Sequence, residues 1–295
     1  MTGPHRYRSP DEDSGRWTGF PFRAGDIVIS TRSKSGTTWM QMICLLLVFG
    51  RGDLPAPLAE LSPWLDWLVR PRQEVVEYLE AQTHRRVIKT HTPLDGVPID
   101  GRATYIVVGR HPLDLAVSLY HHADNLDRGR MAELIGAPMP TAMPRLPLHQ
   151  WLVAWVRADP DPRERLDSLS GVLWHTADAW NRRHSDNVIL LHYRELSTDL
   201  EAVMRRLADR LRIDVDRERW PELVEAATFG AMRAEAGRSV PDRQGVLKDP
   251  QVFFRRGSSG EGLEVLSQTE RDEYAARVAG RIDADALAWL HGEHV

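Results

Sequence analysis

Short apolar runs punctuate the chain at residues 27–29, 86–90, 103–108 and 188–193. Their cores, Ile27-Val28-Ile29, Val87-Ile88, Tyr105 to Val108 and Val188 to Leu191, are continuous in apolar residues rather than alternating. That pattern predicts strands buried on both faces, and the helical periods between them predict a parallel sheet covered by helices. A longer apolar run at 40–49 predicts a helix packed under that sheet, since it has about half of the ~20 residues that a bilayer span takes. Residues 73–82 and 174–180 carry further helical patterns. Leu200, Val203, Met204, Leu207 and Leu211 mark one face of another helix, with Thr198 and Glu201 spaced as a capping box before it. Thr228 stands where it caps a short helix, and Ser267 and Glu270 cap a final one reaching about Leu290. Residues 124–162, rich in Met, Pro and Arg, keep no period and predict a loop-rich cap in which Trp151 and Trp155 anchor a short helix. The expected fold class is therefore α/β: one domain over 25–295, a central, mainly parallel sheet flanked by helices, preceded by a polar segment at 1–24.

Composition narrows this. With 295 residues and 42% hydrophobic content, the chain buries one full core. A net charge of −4 argues against a general nucleic-acid binder. The single cysteine, Cys44, lies in the apolar run and fits a reducing cytoplasm, and the N-terminus shows no apolar signal-peptide core. Only three of the 38 basic residues are lysine: Lys34, Lys89 and Lys248. A compact ammonium does what a guanidinium fork cannot where one oxygen must be approached closely, so Lys34 and Lys89 are candidate site residues.

The candidate chemistry lies where predicted strands end. Residues 30–39, Ser-Thr-Arg-Ser-Lys-Ser-Gly-Thr-Thr-Trp, join a strand to a helix start. Such a loop offers an anion several backbone N–H groups, the positive end of a helix dipole and a lysine. It is not the Walker pattern, because Lys34 precedes Gly36 instead of following a glycine. Lys89-Thr90-His91 presents an ammonium and an imidazole at a second strand end, and Arg110 stands at a third. In parallel sheets ligands bind outside the carboxyl ends of the strands, so these stretches predict one site. Adjacent helical residues diverge, so His121 and His122 make a poor metal pair.

These stretches resemble the cytosolic-type sulfotransferases that use 3′-phosphoadenosine 5′-phosphosulfate (PAPS), most of all an actinobacterial branch that includes glycolipid sulfotransferases. Residues 33–39 match the family's 5′-phosphosulfate loop, with Ser33 in place of its proline. Lys89 to His91 match its catalytic Lys-Thr-His, and Arg110 with Ser118 match its 3′-phosphate motif. Arg255-Arg256-Gly257 resemble its C-terminal Arg-Lys-Gly, with Arg256 in the lysine's place. Trp180 and Tyr193-Arg194-Glu195-Leu196 resemble its Trp-then-Tyr elements.

The resemblance implies a P-loop-NTPase-like sulfotransferase fold. It implies sulfuryl transfer from PAPS to a hydroxyl of a small-molecule or lipid acceptor, with 3′,5′-adenosine bisphosphate as product, no metal and a homodimer as a partner state. It assigns His91 as base, Lys34 to the leaving oxygen and Lys89 to the sulfuryl oxygens. Ser35, Gly36, Thr37 and Thr38 would hold the 5′-phosphate, and Arg110, Ser118 and Arg255 the 3′-phosphate. Trp39 and Tyr193 would contact adenine, and Thr228, Arg256 and Gly257 complete the donor-binding set. Two departures stand out: Ser33 leaves the loop entry less preorganised than proline would, and Gly262-Leu263 replace a family Trp-Lys pair near the lid and dimer contact. A kinase with a divergent phosphate loop is the alternative enzyme, though neither a Walker lysine nor a Mg²⁺-holding Asp stands in register. A non-catalytic nucleotide-binding protein is the alternative outside enzymes.

Overall fold

The computed structural model describes residues 3–139 and 144–293. Four strands, β1 (Ile27–Ser30), β2 (Val87–Thr90), β3 (Thr104–Gly109) and β4 (Val188–His192), form a sheet in the order β2-β1-β3-β4. Every pairing is parallel, with Ser30 opposite Thr90 on one side and Val107 on the other. Parallel neighbours need crossovers, and helices supply them.

The strands alternate cleanly between two cores. Ile27, Ile29, Val87, Ile106, Val108 and Ile189 face one way, onto α1 (Thr37–Phe49) and the helices Leu200–Leu211 and Trp220–Ala226. Val28, Ile88, Tyr105, Val107 and Val188 face the other way. Residues 37–47 of α1 are all buried, which explains why its sequence is apolar all round. Gly50, at φ 61°, ends the helix and returns its N–H to the Leu46 carbonyl. Cys44 sits inside this core, where burial pushes its thiol up to about 12.

Several elements differ from expectation. Trp17, Phe20 and Phe22 of the N-terminal segment are buried in the second core, and residues 11–13 pair with 66–68 through Leu68 N–H to Asp11 O (2.8 Å) and Asp13 N–H to Asp66 O (2.9 Å). Residues before 25 thus pack against the rest of the domain. The cap contains two helices, Arg128–Ile135 and Leu148–Arg157; residues 140–143 of it lie outside the described residues. The helix Tyr193–Thr198 runs through Thr198, so Asp199, non-helical at φ −147°, caps Leu200–Leu211 instead and accepts from Ala202 N–H. A capping box does form nearby, from His192 and Glu195. The final predicted helix is two, Gln268–Val278 and Ala284–His291, broken around Gly280 at φ 70°. No described helix is long and apolar enough to cross a membrane.

Candidate active site

The loop after β1 is shaped by two left-handed residues. Ser35 N–H closes a turn onto the Arg32 carbonyl at 3.1 Å, with Lys34 at φ 67°. Holding a lysine there costs about 1 kcal/mol or more, a strain expected at functional positions. Gly36 follows at φ 101°, and a Cβ on it would lie 2.9 Å from Tyr193 Cδ2. The backbone thus bends tightly and opens into α1 at Thr37, so the first N–H groups of a 13-residue helix face the loop.

His91 follows β2. Its Nδ1 lies 2.7 Å from the Thr31 carbonyl, an acceptor only, so Nδ1–H donates the hydrogen bond. The neutral ring therefore carries hydrogen on Nδ1 and a lone pair on Nε2. Burial, then the charges of Lys89 and Arg32, hold its pKa well below the usual histidine value. Trp64 meets the His91 ring edge-on at 4.7 Å and carries Lys89 Nζ on its face at 3.8 Å. Burial lowers Lys89 to about 8, against the opposing pull of Glu12 and Asp66.

Arg110 follows β3. Its Nη1 donates to the Lys34 carbonyl at 2.9 Å and its Nη2 to the Ser258 carbonyl at 3.2 Å, while the guanidinium lies 4.3 Å over the Tyr193 ring. Asp114 accepts from Gly260 N–H and Gly262 N–H, both at 2.8 Å, and so pins the chain after 257 to the helix Pro112–Asn125. A Cβ at Gly262 would lie 2.4 Å from Leu113 backbone, so a large residue there would force this segment away.

Three strand ends and the C-terminal segment open into one cavity of about 700 Å³. Lys34, Gly36, Thr37, Thr38, Trp39, Lys89, His91, Arg110, Ser118, Tyr193, Arg255, Arg256 and Gly257 all line it. Two predicted residues do not. Ser35 is buried beneath the loop. Thr228 spends its hydroxyl on a helix cap, donating to Glu225 O at 2.9 Å and accepting from Ala231 N–H at 3.1 Å. Thr37 Oγ1 is hydrogen-bonded to Thr31 Oγ1. Arg255 and Arg256 pair with Glu261, which holds their guanidinium groups in place.

Electrostatics say what this cavity takes. Lys34 Nζ rests 4.0 Å from the centre of the Phe253 ring. Removal from bulk water, then Arg110, Lys89 and Arg255, lower its pKa to about 7. Arg110 Nε is buried with no hydrogen-bond partner among the described residues. Crowded cations and an orphaned guanidinium donor beside a helix N-terminus fit a ligand with more than one anionic group.

Several contributors lie outside the donor-site motifs. Asp66, fully buried, accepts from Thr92 Oγ1 at 2.6 Å and from Thr90 Oγ1, bracing the chain on either side of His91. Burial raises its pKa. Ser9, Asp11 and Glu12 line the cavity beside Trp64 and Trp67, whose rings stack 5.1 Å apart. Leu126, Met131 and Trp151 extend the apolar wall.

A parallel sheet with a tight, helix-opening loop after β1, a lysine and histidine at the end of β2 and an arginine after β3 builds a cationic site suited to transferring an anionic group. The sulfotransferase domain family matches residues 24–268. The chain is 39% identical to a glycolipid sulfotransferase of Mycobacterium bovis BCG, over 99% of its own length and 95% of that protein. The same figures hold for a glycolipid sulfotransferase of Mycobacterium tuberculosis. A mouse sulfotransferase, SULT7A1, solved with 3′,5′-adenosine bisphosphate, shares the fold at TM-score 0.67 and 18% identity, covering 94% of this chain and 90% of that one. The chain belongs to the sulfotransferase family and is a PAPS-dependent sulfotransferase.

Proposed function

We propose that this enzyme sulfates a hydroxyl of a glycolipid or a similar amphipathic acceptor in the cytoplasm, with His91 as the general base. The observation that carries this reading is the His91 ring, neutral, fixed with its Nε2 lone pair available, and set between cations and an apolar wall. His91 Nε2 takes the acceptor proton as the new S–O bond forms. Lys34 supports the phosphate oxygen released when the bridging S–O bond breaks, and Lys89 balances charge on the sulfuryl oxygens. The loop N–H groups and Thr38 hold the 5′-phosphate, and Arg110 and Ser118 hold the 3′-phosphate. Positioning and charge stabilisation then supply most of the rate.

Stacked Trp64 and Trp67, with Leu126 and Met131, suit a lipid chain, and Ser9 and Glu12 suit the hydroxyls of a sugar. The cysteine usage fits a reducing compartment. Radiolabelled PAPS offered with lipid extracts and, separately, small phenols tests the acceptor class. Label in the polar-lipid fraction supports the reading; label confined to phenols contradicts it.

A further inference from the structure

One carboxylate ties together three parts of the site. Asp167 Oδ1 accepts from Arg32 Nη2 at 2.6 Å, and its Oδ2 accepts from Ser33 Oγ at 3.1 Å. Arg32 Nη1 donates to the carbonyl of His91. The Arg32 side chain is 4% exposed and that of Asp167 47%. The Asp167 carbonyl accepts from Trp155 Nε1 at 2.9 Å, which anchors the residue to the helix Leu148–Arg157 in the cap. Asp167 itself lines the cavity.

The turn explains the need for such a tie. Arg32 to Ser35 is closed by an i to i+3 hydrogen bond, with positive φ at Lys34, the third residue. That is the type II pattern, in which proline suits the second position. Serine stands there, and its φ is unrestrained by a ring. The hydrogen bond to Asp167 restrains the turn from outside. Arg32, buried beside a carbonyl, also needs an anionic partner to offset its lost hydration.

We propose that Asp167 is a positioning residue: through Ser33 it orders the donor loop, and through Arg32 it holds the backbone of His91 in place. The inference rests on the donor reading above. It links the acceptor wall to both the donor loop and the base, so loosening one end is felt at the others.

Calorimetric binding of 3′,5′-adenosine bisphosphate to wild type, D167A, S33P and the D167A/S33P double variant tests it, with thermal melts to verify folding. D167A is expected to weaken binding about fivefold, the scale of one partly exposed polar tie. S33P should recover most of that loss in the D167A background and gain much less in wild type, because the two restraints are redundant. Turnover should separate from binding: kcat of the double variant stays low, since Arg32 still lacks its carboxylate. If D167A does not fold, D167N, which keeps the shape, takes its place with the same expected pattern at smaller size. Wild-type affinity in the Asp167 variant, equal effects of S33P in both backgrounds, or full recovery of kcat by S33P would overturn the proposal. Wild type that fails to bind the bisphosphate overturns the donor reading itself, and this inference with it.

Discussion

His91 Nδ1 lies 2.7 Å from the carbonyl oxygen of Thr31, so the end of β1 sets the tautomer of a ring that follows β2. The adjacent pairing of these strands, with Ser30 opposite Thr90, makes that contact possible. Replacing His91 by Ala should lower kcat by about 10²–10⁴-fold while the bisphosphate still binds. Unchanged turnover would remove His91 from the role of base.

The pH behaviour follows from burial. With its pKa well below 6.5, His91 stays neutral as pH falls through the usual histidine range, so kcat should show no loss attributable to it near pH 6.5. For stability the sign is opposite in kind. Below about pH 6.5 the unfolded chain binds a proton that the native ring refuses, so stability falls as pH drops. A kcat that halves near pH 6.5 would show the base titrating as a solvent-exposed histidine.

Lys34 predicts a proton linkage at higher pH. Its pKa near 7 in the free enzyme must rise when an anion binds beside it. The bisphosphate should therefore bind with proton uptake above pH 7, and its affinity should fall as pH climbs. Calorimetry in buffers of different ionisation enthalpy measures the uptake directly. In the free protein, stability attributable to Lys34 rises from about pH 7 toward its unfolded value, because the unfolded chain holds the extra proton across that window.

The 3′-phosphate role proposed for Arg110 predicts discrimination between nucleotides. Its fork is engaged with Lys34 and Ser258 carbonyls, and its Nε is buried without a partner among the described residues. Arg110→Lys keeps a charge and loses the fork. It should weaken 3′,5′-adenosine bisphosphate by about tenfold or more, and adenosine 5′-phosphate much less. Equal losses for both would place Arg110 outside the 3′-phosphate site.

Gly36 tests the loop itself. A side chain there meets Tyr193 at 2.9 Å and needs φ 101°. Gly36→Ala should cost on the order of 1–3 kcal/mol of loop strain, seen as roughly tenfold or greater loss of bisphosphate affinity. Retained affinity would mean that the bend is not what presents the N–H groups.

Much of this was legible in the residues because it is local. Uniformly apolar runs gave the strands, and the strand ends placed Lys34, His91 and Arg110 together. The rest depends on partners distant in sequence. Thr198 was free to cap only if no helix preceded it, and Tyr193–Thr198 does. Thr228 has a hydroxyl suited to a nucleotide, yet two backbone groups next to it claim that hydroxyl first. Ser33 reads as a loosened loop until Asp167, more than a hundred residues away in sequence, is seen beside it. The N-terminal aromatic residues carry no period, so only packing reveals their place under the sheet.

The most direct test incubates the purified enzyme with PAPS and a polar-lipid extract, and follows both products by mass spectrometry. The account predicts lipids heavier by one sulfuryl group together with stoichiometric 3′,5′-adenosine bisphosphate, both lost in the His91→Ala variant. Phosphorylated lipid formed from ATP, with no sulfated lipid formed from PAPS, would contradict it.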